Sequence, residues 1–171
     1  MRRELFEPSV EGEARLLLLI SAFSSGSGSL EGWTKLAKLD FFLRYPEYLR
    51  RAVALREPTD VDRLSVIPTE PGSRMVRYRY GPWDPAHYAI VGRLLSKGLV
   101  QRVPYARGVG FKATDLGIDV AKDLRRQESW SGYWEGCRIL KKDFNLSGAR
   151  LKEFIYRHFP EVAGAEWGER L

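Results

Sequence analysis

Residues 94–124 read LLSKGLVQRVPYARGVGFKATDLGIDVAKDL, and their punctuation decides the fold. A helix that starts near Asp84, a capping residue, and Pro85, suited to a first helical position, runs to Ser96 or Lys97. Gly98 supplies its left-handed stop. Leu99 to Val103 then reads as a strand, Pro104 to Gly108 as a loop tip and Val109 to Ala113 as a returning strand. Thr114 caps a further helix whose Leu116, Val120 and Leu124 recur every four residues. Immediately upstream, Arg74 to Tyr80 alternates, with Val76, Tyr78 and Tyr80 on one side and Met75, Arg77 and Arg79 on the other, as a strand with one basic face would.

Outward from this segment the pattern is helical. Residues 13–23 hold an LLLLI run that requires a helix buried on most sides, and SSGSGS from Ser24 to Ser29 has the composition of a connection. Leu36, Leu39, Phe42 and Leu43 form the next apolar face, from which Lys35 and Lys38 point away, and Pro46 opens another short helix with Tyr48, Leu49, Ala52, Val53 and Leu55. Three prolines and four acids make 56–73 a surface excursion. After the hairpin come two amphipathic stripes separated by a break near Asn145 to Gly148. Trp130, Tyr133, Trp134, Cys137 and Leu140 make the first, and Leu151, Phe154, Ile155, His158 and Phe159 the second. The expected organisation is an N-terminal helical part (1–55), the excursion (56–73), the hairpin segment (74–127) and a C-terminal helical pair (128–171), all in one compact unit. The two stripes either complete the core or bury against a second copy or a partner subunit, so Trp130, Tyr133, Trp134, Phe154 and Phe159 are candidate interface residues.

Composition narrows the class. A chain of 171 residues, 44% hydrophobic and 29% charged, builds one core and is not a disordered protein. One cysteine, Cys137, excludes an intrachain disulfide, and no cluster of cysteines and histidines exists to bind structural zinc. Leu16 to Ile20 is too short to span a bilayer, and Glu4, Glu7, Glu11 and Glu13 stand where a signal peptide avoids acids, so the expectation is a cytoplasmic protein without a membrane role. From Arg74 to Lys112 eight basic residues face a single acid, Asp84, a surplus larger than the net charge of +6 for the whole chain. Such concentration is the sequence signature of a face for an anionic partner, a phosphate backbone or an acidic protein.

The helix ending in LLSKGLVQRV, the glycine-containing loop and GFKATDLGIDVAKDL together resemble the second half of a winged-helix domain of the MarR or PadR kind, over Ala86 to Leu124. The resemblance implies a mainly α protein with a small β-wing, a winged helix-turn-helix-like domain with helical N- and C-terminal extensions. It puts Arg102, Arg107 and Lys112 where a wing meets phosphates. Two departures bear on function. RMVRYRYGPW is extended where those regulators have another helix, and the helix before the wing turns Ala86, Ala89, Gly92, Arg93, Ser96 and Lys97 outward, so only two long side chains reach for base edges. Salt-sensitive, weakly specific phosphate contact is expected.

TKLAKLDFFLRYP (Thr34 to Pro46), RMVRYRYGPWD (Arg74 to Asp84) and the winged segment, in that order, resemble the small middle subunit of bacterial three-component systems built around an ABC or SMC-like ATPase, including Lamassu-type defence systems. That resemblance implies a non-enzymatic winged-helix adaptor that works with an ATPase and an effector against phage or plasmid DNA.

Catalytic constellations are weak. His87 and His158 lie on apolar helical faces, Asp115, Asp119 and Asp123 follow one solvated helix side, and Cys137 has aromatic neighbours and no histidine nearby. No Walker motif, Gly-x-Ser-x-Gly or His-Glu-x-x-His occurs. The expectation is therefore no catalytic residue, metal or cofactor, with Arg77, Arg79, Arg93, Lys97, Arg102, Arg107 and Lys112 meeting the backbone of double-stranded DNA. A free-standing dimeric winged-helix transcriptional regulator is the alternative, and a protein-only adaptor, whose arginines grip an acidic partner, is a third.

Overall fold

The computed structural model describes residues 8–64, 75–78, 81–106, 108–166 and 168–171, with the backbone alone at 76–78. Its first helix, α1 (Val10–Ala22), begins at Ser9, whose hydroxyl accepts from the Gly12 amide at 3.0 Å. Leu16, Leu17, Leu18, Leu19 and Ile20 are all buried, as a run apolar on every side demands. Helices on three sides achieve that: α4 (His87–Ser96), α5 (Asp115–Arg126) and α6 (Glu128–Asp143) all pack on α1. Their contact buries this apolar run on all sides.

The hairpin forms where the punctuation set it. Gly98, at φ +71, ends α4, and β4 (Val100–Tyr105) pairs antiparallel with β5 (Gly108–Ala113), from Val100 opposite Ala113 to Tyr105 opposite Gly108. Thr114 caps α5 by accepting from the Gly117 amide at 3.1 Å. Gly117 has a second reason to be glycine: a Cβ there would collide with the Leu99 carbonyl, so α5 lies backbone against backbone on the strand entry. A two-residue strand that the sequence reading missed, β1 (Leu30–Glu31), adds to β5, giving a three-stranded sheet in the order β1-β5-β4.

The extended segment also differs in form from its expectation. Val76–Tyr78 (β2) is a strand, but the chain turns back at once and Gly81–Trp83 (β3) pairs with it, Val76 opposite Trp83. Arg74, Arg79 and Tyr80 lie outside the described residues. Pro85 occupies the turn before α4 rather than its first position, and Asp84 Oδ1 accepts from the Ala86 amide at 2.8 Å.

Helix α2 (Trp33–Arg44) corrects one expectation outright. Lys35 and Lys38 do not point to solvent; both are buried, because α2 is covered all round. The Lys38 ammonium donates to the Pro82 carbonyl of β3 at 2.9 Å and that of Lys35 to Asn145 Oδ1 at 2.6 Å, so each long side chain carries its charge through the packing to an acceptor. Helix α3 (Pro46–Arg56), a 3-10 turn over Pro58–Arg63, α7 (Gly148–His158) and the short α8 (Pro160–Ala163) complete the chain. One cluster of buried side chains runs from Leu16 through Phe111 and Leu140 to Val162, so hairpin, N-terminal helices and C-terminal pair share a core. The protein is mainly helical with a small antiparallel sheet, and among the described residues no helix is long and apolar enough to cross a membrane.

Candidate nucleic-acid interface

Helix α4 and the β4–β5 hairpin position four of the expected cations, Arg93, Lys97, Arg102 and Lys112. Ala89, Gly92, Arg93, Ser96 and Lys97 are exposed as the helical wheel requires, whereas Ala86 is buried by the Asp84 turn. Tyr88 stands in its place, 55% exposed, with its ring 4.6 Å from Trp33 and 5.5 Å from Trp83. Trp33 in turn meets Phe111 of β5 edge-on at 4.8 Å, so an aromatic row ties the start of α4 to the entry of α2 and the sheet.

The cations themselves are already engaged to different degrees. Lys97 Nζ lies 2.6 Å from Glu13 Oε1 on α1, and Arg93 Nη1 lies 3.9 Å from Glu13 Oε2 and donates to the Pro8 carbonyl at 3.3 Å. Lys112 Nζ donates to the Gly26 carbonyl at 2.6 Å. Arg102 is exposed on the edge strand β4. Register separates these last two: Arg102 pairs with Phe111 and Gln101 with Lys112, so Arg102 and Lys112 rise from opposite faces of the hairpin. Arg79, Arg107 and the side chain of Arg77 lie outside the described residues.

The expected interface aromatics require correction. Tyr133 and Phe159 are buried in this chain's own core, and Trp130, Trp134 and Phe154 are half-buried against it. The physical reason is the break at 144–147, which lets α7 fold back on α2 so that both stripes find partners within one chain. Trp134 keeps a cationic cover, the Arg125 guanidinium 4.7 Å from its ring.

Sequence reasoning missed a buried charge network. Arg15 Nε donates to Asp40 Oδ1 at 2.6 Å, His87 Nε2 lies 2.8 Å from Asp40 Oδ2, and Arg44 Nη1 bridges Asp84 Oδ2 at 2.5 Å and Asp40 Oδ2 at 3.6 Å. All five side chains are buried. Burial alone would raise the Asp40 carboxyl, but Arg15, the His87 hydrogen bond and Arg44 together hold it far below the usual carboxylate range. His87 is thus buried in the core. Its signal in the sequence was Asp40 and Arg44, one helical turn apart inside an apolar run.

The network fixes α1, α2, the Asp84 turn and α4 relative to one another, which makes it the support of the α4 face. The remaining catalytic candidates are dispersed. Burial pushes the Cys137 thiol up, the His158 ring lies tilted against Phe154 with centroids 4.6 Å apart, and Asp115, Asp119 and Asp123 are exposed along α5. Lys38 is pushed down to about 7, first by burial and then by Lys152.

No known protein family, curated protein or solved structure matches this chain. Among the described residues no group of three His, Cys, Asp or Glu side chains gathers as a metal site would need. The described geometry places Arg93 and Lys97 together on α4 beside Glu13 and leaves Arg102 exposed on the edge strand of the hairpin, with the internal ion network beneath α4.

Proposed function

We propose that this chain is a non-enzymatic winged-helix adaptor that contacts nucleic-acid backbone while its helical surfaces hold a partner ATPase and an effector, in defence against phage or plasmid DNA. The observation that carries the winged-helix reading is the wiring: α1, then β1, then α2, with α4 running straight into β4 and the sheet ordered β1-β5-β4. In that wiring α4 is the groove-facing helix and β4–β5 the wing. Arg102 and the α4 cations then meet phosphates, and the ATPase partner and the defence role rest on the resemblance of the three sequence strings.

The exposed side of α4 favours this over a free-standing regulator. Ala89, Gly92 and Ser96 are too short to read base edges, and Arg93 and Lys97 are shared with Glu13. Fluorescence anisotropy on a random-sequence duplex tests the backbone reading. With about three phosphates neutralised, affinity falls about 40-fold from roughly 50 to 200 mM salt and is indifferent to sequence. Salt-independent binding, or none, overturns it. Affinity purification of the tagged protein from its host after nuclease treatment tests the adaptor reading. A stoichiometric ATPase subunit is expected; recovery of the chain only as its own dimer contradicts it.

A further inference from the structure

Two concavities meet at the start of α7, where both are walled by Ala149 and Lys152. They form one trough. Its first part, about 960 Å³, lies between the entry of α2, the hairpin end and α7, and is walled by the half-buried rings of Trp33 and Tyr105. Tyr105 is held there by close approach: Gly32 has φ +92, and a Cβ on it would come within 2.9 Å of the Tyr105 hydroxyl. The second part, about 750 Å³, continues along α7 past Arg150 and Arg157 to Arg56, all three exposed. Two acids, Glu31 and Glu153, are outnumbered by these arginines with Lys152.

Cations beside aromatic walls in a concave track favour one ligand chemistry. A duplex keeps its base faces inside its own stack, so rings at the wall gain nothing from it. An acidic peptide satisfies the arginines but brings no planar group for the rings. A single strand presents both a phosphate chain and free base faces. We propose that this trough binds a single-stranded stretch of nucleic acid, with bases against Trp33 and Tyr105 and the backbone along Lys152, Arg150 and Arg157. The inference extends the nucleic-acid reading above but uses none of the α4 or wing cations, so the two fail separately.

The test is anisotropy with labelled oligothymidylate of about fifteen nucleotides and with a duplex of the same length. Arg150→Glu/Arg157→Glu, on an exposed helix face, lowers oligothymidylate affinity at least about tenfold and leaves duplex affinity within about twofold. Tyr105→Ala lowers oligothymidylate affinity by about tenfold through lost stacking. Arg102→Glu does the reverse, weakening the duplex alone. Unchanged oligothymidylate binding by the double variant overturns the proposal. So does an equal loss for duplex and single strand, or a wild-type protein that binds a polyglutamate peptide and not the oligonucleotide.

Discussion

Asp40 and Arg102 both carry charge, yet one is sealed between α1, α2 and α4 while the other stands on the edge of the sheet. Around Asp40 every charge has an opposite within the protein, Arg15 and Arg44 on one side and Asp84 beyond. Around α4 and the hairpin the balance is partial, since Glu13 serves Lys97 and Arg93 and a carbonyl serves Lys112. The difference teaches that charge counted along a chain is not charge displayed to a partner. Internal charge sets the geometry of the fold, and only the remainder is available to a ligand.

The comparison breaks most visibly at Asp40. Asp40→Ala leaves Arg15 and Arg44 facing each other in the core and costs about 3–5 kcal/mol in urea unfolding, whereas Arg102→Glu stays within about 0.5 kcal/mol of wild type. Equal stability of the two variants contradicts the division.

Lys38 sharpens the contrast because it is an internal charge that pairs with no anion among the described residues. Its folded value is about 7 against an ordinary 10.5, so between those pH values the unfolded chain binds more protons. Stability therefore rises with pH across that window, by up to a few kcal/mol, and its penalty is full below pH 7. Lys38→Met flattens the slope in urea titrations at a series of pH values, even though the Pro82 carbonyl loses its donor. A wild-type profile flat above neutrality contradicts the burial of this charge.

Glu13 marks the boundary between the two settings. Glu13→Gln releases Lys97 and Arg93 and raises duplex affinity by about threefold, with a steeper salt dependence. Weaker binding by this variant would mean that Glu13 orients those cations productively instead of competing for them.

The hairpin and its flanking helices were legible because their signals are local. Gly98, Thr114 and the alternation between them are chemistry within a few residues, and the strand limits fall within a residue of expectation except at the end of β4, which runs two residues further, to Tyr105. The ion network was not, since Asp40 lies 25 residues from Arg15 and 47 from His87, and nothing short-range announces such a meeting. Lys35 and Lys38 misled for a related reason. Residue type places a lysine outside, but a four-carbon stem can pass through a core to a distant carbonyl. Strand β1 is two residues long, below what alternation can reveal, and without it neither the order β1-β5-β4 nor the place of Trp33 beside Phe111 follows. The interface aromatics were assigned by pattern, which cannot distinguish a stripe covered by the same chain from one covered by another.

The most direct test of the division between internal and displayed charge is the salt dependence of duplex binding by Arg102→Glu, measured by anisotropy beside wild type after unfolding curves establish equal stability. The expected result is weaker binding at every salt concentration and a log–log slope shallower by about 1. Wild-type affinity and slope in a folded Arg102→Glu protein would contradict the assignment of this edge to a phosphate backbone.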